Sequence, residues 1–268
     1  MSKKTNPLTY TKICGLTRPE DLQAAITCGA NALGFVFYPR SPRCVLQLSP
    51  QAQRALQLQL EHLNTTAPTI LRVGVFVNAD EATILEQAKT WHLNQIQLHG
   101  HESPDLCGRI RTHYPVWKAL PLKADGDIAA ALNHYAPHVD GFVLDTPAAP
   151  HQWGGTGESG DWALAAQAIQ ATSRPVILAG GLGPHNVANA LHALQAAGVA
   201  SLANQVNPVN QTNLANPANP VNQVNPTNLA GLDASSRLEQ APGQKCHATL
   251  QAFFEAIFQY TQEMIPCP

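Results

Sequence analysis

Residues 71–98, LRVGVFVNADEATILEQAKTWHLNQIQL, hold one complete repeat of the chain's architecture. A short β-branched run, Leu71–Val77, gives way to a helical pattern over Asp80–Lys89 and then to a second strand-like run, Gln95–Leu98. Strand, helix and strand in so short a span make the two strands parallel, joined by a right-handed crossover. The same alternation extends in both directions. Further strands are expected near Thr9–Ile13, Ala32–Phe37, Val116–Leu120, Gly141–Leu144, Val176–Ala179 and Leu229–Asp233. Helices are expected near Pro19–Cys28, Pro50–His62, Ser103–Arg111, Ile128–His134, Trp162–Ile169, Pro184–Ala197 and Ala248–Gln262. Thr17 with Glu20 has the spacing of a capping box, and Pro19, Pro50 and Pro184 fall at or near expected first turns. Counting units does not separate a closed barrel from a doubly wound open sheet, but eight strand–helix units suit closure. The expected fold class is therefore α/β, a single (β/α)8 (TIM) barrel domain over residues 1–268.

Composition narrows the function. With 268 residues, 16 Lys and Arg against 18 Asp and Glu, and a net charge of -2, the chain has no basic footprint for nucleic acid. No apolar run is long enough to span a membrane, and the N-terminal residues lack the apolar core of a secretory signal, so a cytoplasmic location is expected. Cys14, Cys28, Cys44, Cys107, Cys246 and Cys267 form no C-x-x-C pair and read as free thiols. His99 and His101 lack a third ligand of suitable spacing, so no metal site is expected. The sequence is equally compatible with a monomer and a homodimer.

One stretch does not fit the alternation. Residues 204–228, NQVNPVNQTNLANPANPVNQVNPTN, carry no charge and place asparagine at every third position. Pro208, Pro217, Pro220 and Pro226 each follow an asparagine and bar it from the helical region. Such a segment has too little apolar bulk to build a core and is expected to be a disordered, solvated insertion before strand eight.

In a closed barrel the chemistry lies at the C-terminal ends of the strands. Polar residues there include Lys12 and Cys14, Arg43, Asn78, Gln97 and His99, Lys118, Asp145, and the run from Asp233 to Ser236. Period 2 puts Lys12 and Cys14 on one face of the first strand. A neighbouring cation is expected to lower the thiol from about 8.5 toward neutrality and supply a thiolate base. Asp145 ends the apolar run Gly141–Leu144, and desolvation there is expected to keep it protonated and able to donate. Gly154-Gly155-Thr156-Gly157 and Gly180-Gly181, with Ser235 and Ser236, suit phosphate, because glycine lets backbone N–H groups approach an anion.

These residues resemble a known family. Lys12-Ile13-Cys14-Gly15-Leu16-Thr17-Arg18-Pro19-Glu20-Asp21, Gly34-Phe35-Val36-Phe37-Tyr38 and Ser41-Pro42-Arg43 resemble the opening blocks of phosphoribosylanthranilate isomerases of tryptophan synthesis. Val73 to Asn78, Gln97 to Gly100, Leu144-Asp145-Thr146, Gly154 to Gly157, and Leu178 to Leu182 with Asn186-Val187 follow in family order. The resemblance implies an Amadori rearrangement of a phosphosugar–anthranilate substrate without metal or organic cofactor. It implies Cys14 as general base, Asp145 as general acid and Arg43 as the contact for the anthranilate carboxylate. Substrate contacts at Gln97, His99 and Asp233 are expected beside them, and phosphate contacts at Gly155, Thr156, Gly157, Gly180, Gly181, Ser235 and Ser236. The metal clusters and paired lysine and glutamate signatures of related phosphosugar barrels are missing.

Two departures stand out. The family's closing block reads D-V-S-S-G-V-E, then P-G-x-K-D. Here it reads Asp233-Ala234-Ser235-Ser236-Arg237-Leu238-Glu239, then Pro242-Gly243-Gln244-Lys245-Cys246. Arg237 replaces a glycine, which costs about 1–2 kcal/mol if the position needs positive φ, while its guanidinium is able to add a phosphate contact. The other departure is the asparagine-rich insertion. Loop-closure entropy grows only with the logarithm of length. Deleting residues 204–228 is therefore expected to leave turnover within a few-fold, as followed by loss of phosphoribosylanthranilate fluorescence; a loss of orders of magnitude contradicts this.

Overall fold

A computed structural model of the chain describes residues 10–123, 126–145, 161–199 and 228–263. Eight parallel strands pair in sequence order and close on themselves. They are β1 (Tyr10–Ile13), β2 (Ala32–Val36), β3 (Leu71–Phe76), β4 (Gln95–Leu98), β5 (Val116–Pro121), β6 (Gly141–Asp145), β7 (Val176–Ala179) and β8 (Leu229–Ala234). Helices α1 (Pro19–Cys28), α2 (Pro50–Thr66), α3 (Glu81–Thr90) and α4 (Pro104–Arg111) follow the first four strands. Helices α5 (Ile128–Tyr135), α6 (Trp162–Gln170), α7 (Val187–Ala196) and α8 (His247–Glu263) follow the others. A small antiparallel ribbon, β9 (Glu239–Ala241) and β10 (Gln244–Lys245), lies between β8 and α8 in the chain. Closure excludes the open sheet. The seam is β1 on β8, with Tyr10 opposite Gly231, Thr11 opposite Leu232, Lys12 opposite Asp233 and Ile13 opposite Ala234.

Alternation along each strand divides the core into two layers. Tyr10, Val73, Trp117, Val143 and Ile177 form a buried cluster inside the barrel. Leu33, Phe35, Leu98, Phe142, Leu178 and Leu232 face outward and join Leu22, Leu56, Ile84, Leu132, Leu191 and Phe253 of the helices. Tyr10 and Trp117 stack across the barrel at 5.6 Å and near its floor, each close to its strand's N-terminal end. Glycine is required at Gly141, where a Cβ would come within 2.6 Å of the Trp117 ring. The plugged floor leaves open space at the C-terminal mouth.

Helix starts follow local chemistry. Ser49, Asp80, Ser103, Asp127 and Asp161 each accept a hydrogen bond from a backbone N–H in the first turn of α2, α3, α4, α5 and α6. The expected Thr17–Glu20 capping box does not form. Arg18 is the N-cap and makes no side-chain cap bond, while the Thr17 hydroxyl donates to Gly243 O in the turn of the ribbon. Pro184 lies in the turn before α7, which begins only at Val187. There Asn186 Oδ1 accepts from Gly183 N and its amide donates to Gly181 O, shaping the loop after β7. The Gly154–Gly157 cluster and residues 204–227 of the insertion lie outside the described residues.

Lys118 does not face the barrel mouth. It points into the sheet–helix layer, where Nζ donates to Leu98 O, Gly100 O and Ala119 O and pairs with Glu102 at 3.2 Å. Glu102 in turn accepts from the backbone N–H groups of Asn78 and Gly100, tying the loops after β3 and β4 together. Both side chains are at most 1% exposed. Removing one member strands the other's charge in the core, so Lys118→Ala is expected to destabilise the fold by about 3–5 kcal/mol in urea unfolding. A loss below about 1 kcal/mol contradicts a structural role.

Candidate active site

A cavity of about 300 Å³ opens at the C-terminal ends of the strands. Cys14, Arg43, Gln97, His99, Asp145, Gly180, Gly181, Asp233, Ser235 and Ser236 all line it. These are all of the expected site residues that are described; Gly155, Thr156 and Gly157 lie outside the described residues. With Val75 of β3, the lining residues come from seven of the strands or the loops after them, all but β5, and converge on one space.

The wall at the seam is built on a buried ion pair. Lys12 Nζ donates to Asp233 Oδ2 at 2.6 Å, with the lysine side chain 0% exposed. Burial alone would depress the ammonium, but Asp233, Cys14 and Tyr10 together overcome it and hold Lys12 protonated. The other oxygen, Asp233 Oδ1, is buried without a hydrogen-bond partner among the described residues. Cys14 stands next to this pair, in space that only a glycine leaves. A Cβ on Gly34 would lie 2.8 Å from Cys14 Sγ and 2.9 Å from Lys12 Cε.

The thiol does not move toward neutrality as expected from Lys12 alone. Burial pushes the Cys14 thiol up, and Asp233 adds to that, so the pull of Lys12 and Lys245 does not bring it down. The sequence shows Lys12 but not the carboxylate that already holds it.

Asp145 ends β6 on another wall. Its side chain is 40% exposed, less enclosed than the apolar strand before it suggests. His99 Nε2 stands 3.3 Å from Asp145 Oδ2, and Gln97 Nε2 is 3.4 Å from His99 Nδ1. With the Gln97 amide as donor to Nδ1, a neutral His99 carries its proton on Nε2, directed at the carboxylate. Gln97, His99 and Asp145 thus form a chain that no single sequence block displays.

Arg43 is only partly available for a ligand. Its Nε and Nη2 face Glu239, with Nη2 donating to Oε2 at 2.6 Å and Nε to Oε1 at 2.9 Å. The remaining donors, on Nη1 and the outer edge of Nη2, are those a carboxylate would use. Lys245 Nζ meets the same Glu239 at 2.7 Å and also donates to Cys14 O and Ser235 O. Burial works to raise Glu239, but Arg43 and Lys245 overcome it and hold the carboxyl below its usual range. Glu239 and Lys245 fall in the closing blocks that resemble the family, but nothing in the sequence pairs them with each other or with Arg43, so the clamp is not legible there.

Gly180 and Gly181 both have positive φ, at 89° and 65°, which turns the loop after β7 sharply over the cavity. Ser235 Oγ donates to Cys14 O at 3.0 Å, so the loops after β1 and β8 are joined.

The electrostatics give signed expectations. Replacing Asp233 by asparagine removes a charge that opposes the thiolate, so the pH midpoint for alkylation of Cys14 falls. Replacing Lys12 by glutamine removes the cation that favours the thiolate, so the midpoint rises. Iodoacetamide labelling against pH, read by mass spectrometry on the Cys14 peptide, checks both; unchanged midpoints contradict the coupling.

Comparison with known proteins agrees with this geometry. A model of the family described as N-(5'-phosphoribosyl)anthranilate (PRA) isomerase matches residues 11–201. The N-(5'-phosphoribosyl)anthranilate isomerase of Pseudomonas fluorescens is 36% identical over 260 residues, covering 96% of this chain and 100% of its own length. The crystal structure of phosphoribosyl anthranilate isomerase from Thermotoga maritima superposes with a TM-score of 0.68 at 32% identity, covering 92% of this chain and 98% of its own. A related isomerase in complex with reduced 1-(o-carboxyphenylamino)-1-deoxyribulose 5-phosphate gives 0.66 at 29% identity, over 92% and 97% of the two chains. With the barrel and the converging site residues, these similarities place the chain in the N-(5'-phosphoribosyl)anthranilate isomerase family.

Proposed function

We propose that the chain catalyses the Amadori rearrangement of N-(5-phosphoribosyl)anthranilate to 1-(2-carboxyphenylamino)-1-deoxyribulose 5-phosphate in tryptophan synthesis. The observation that carries this reading is that Cys14, at the end of β1, and Asp145, at the end of β6, line one cavity. The reaction needs an acid and a base at different atoms of one sugar, and two walls of a barrel mouth supply them.

In the proposed sequence, Asp145 in its acid form protonates the ribose ring oxygen. The C1–O bond breaks, and the nitrogen lone pair completes a protonated Schiff base. Cys14 thiolate then takes the C2 proton, the C2–H electrons form the enolamine, and tautomerisation gives the 2-ketone. His99, aimed at Asp145 and steadied by Gln97, orients the carboxyl group. Lys12 favours the thiolate. Asp233 Oδ1, buried and without a partner among the described residues, is suited to accept a hydrogen bond from a sugar hydroxyl. Arg43 offers its outer edge to the anthranilate carboxylate. Gly180, Gly181, Ser235 and Ser236 face the position of the phosphate, with Gly155, Thr156 and Gly157 as further proposed contacts. A reducing, cytoplasmic setting suits the free thiols, and we infer one barrel domain interrupted by residues 204–228.

Each positioned proton transfer contributes about 10²–10⁴-fold. Cys14→Ser and Asp145→Asn are therefore each expected to lower kcat/KM by about that factor, measured by the decay of substrate fluorescence. Near-normal turnover in both variants sinks the assignment. Because burial holds the thiol up, kcat/KM of the unaltered enzyme rises with pH through the thiol's titration.

A further inference from the structure

Arg237 lies in the 3-10 turn Ser236–Leu238 that follows β8. Its backbone is unstrained, because among the described non-glycine residues only Asn78 and His92 have positive φ. The arginine is accommodated by the loop opposite. A Cβ built on Gly183 would lie 3.0 Å from Arg237 Cβ, and one built on Gly181 would lie 3.4 Å from Nε and 3.8 Å from Nη2. The stem thus runs along a strip of glycine backbone, and the guanidinium rests beside Gly181 at the rim of the cavity.

The charges nearby differ in availability. Arg43 and Lys245 are both paired with Glu239. Arg237 is exposed, and among the described residues it has no ion pair and no side-chain hydrogen bond. The adjoining stretch of cavity wall, Gly180, Gly181, Ser235 and Ser236, offers neutral donors only. A phosphomonoester carries about -1.5 to -2 charge at neutral pH, and a guanidinium presents a planar set of donors matched to its oxygens.

We propose that Arg237 is a phosphate-binding residue, bridging from the loop after β8 to the loop after β7 and closing on a phosphomonoester dianion held between them. The isomerase reading supplies the identity of the phosphorylated substrate; the anion chemistry is independent of it. Arg237 secures the non-reacting end of the substrate, so its contribution falls mainly on KM and little on kcat.

The test compares the full-length chain with Arg237→Gly, Arg237→Gln and Arg237→Lys. Binding of inorganic phosphate is read by ³¹P NMR titration, and KM and kcat by substrate fluorescence. A charge-assisted contact predicts that the glycine and glutamine variants weaken phosphate binding and raise KM by about 10–100-fold, with kcat changed far less. Glutamine keeps most of the stem, so an equal loss there assigns the effect to charge and not to packing. Lysine restores part of it. Phosphate affinity and KM within about twofold of the parent in both neutral variants overturn the inference while leaving the isomerase reading intact. Phosphate binding that depends on Arg237 in a chain without turnover upholds the inference and overturns the isomerase reading.

Discussion

The ion pair between Lys12 and Asp233 joins barrel closure to the chemistry of the site. The two residues are register partners across the β1–β8 seam, and their side chains meet at 2.6 Å inside the barrel. A buried pair of this kind is weak evidence for net stability, because desolvation consumes much of the Coulombic gain. Its value lies in position. It fixes a cation next to Cys14 while leaving the other carboxylate oxygen buried and without a hydrogen-bond partner among the described residues. Gly34 on the neighbouring strand keeps the space that the Lys12 and Cys14 side chains need.

A second knot of charge holds the loops above this seam. Glu239, at the start of β9, takes Arg43 from the loop after β2 and Lys245 from β10, and Lys245 reaches the backbone of Cys14 and Ser235. The short ribbon after β8 therefore acts as a clasp across the loops after β1 and β8. The same carboxylate narrows what Arg43 can offer a ligand to one edge of its guanidinium. On the other wall the buried pair of Lys118 and Glu102 sets the loop that carries His99, and His99 in turn faces Asp145. Site geometry thus depends on charged contacts formed between strands far apart in sequence.

That dependence explains what the sequence revealed. The strands Gln95–Leu98 and Val176–Ala179 and the helix Pro19–Cys28 fall where expected, because compact β-branched runs and a proline at the first helical turn are local signals. Helix α2 outruns its expected end at His62 and reaches Thr66, since Leu63 is buried and Asn64 Oδ1 accepts from Arg72 of β3. The ribbon of β9 and β10 is too short to carry a period of its own. The candidate residues Cys14, Asp145, Arg43, Gln97, His99 and Asp233 were legible because each ends a strand or lies just beyond one, and in a barrel that places them at the mouth. Their partners were not legible. Nothing in one sequence pairs Lys12 with Asp233, or Glu239 with Arg43, so the state of the thiol and the freedom of the arginine had to come from the fold.

The proposed rearrangement of a phosphoribosylated aromatic amine at this barrel mouth has a direct readout. It is tested most directly by adding catalytic amounts of the purified full-length chain to N-(5'-phosphoribosyl)anthranilate and following the substrate's fluorescence. The expected result is decay to baseline at a rate proportional to enzyme concentration, with the 1-deoxyribulose 5-phosphate product recovered. Fluorescence that stays at the spontaneous rate, in a folded chain that binds inorganic phosphate, would contradict it.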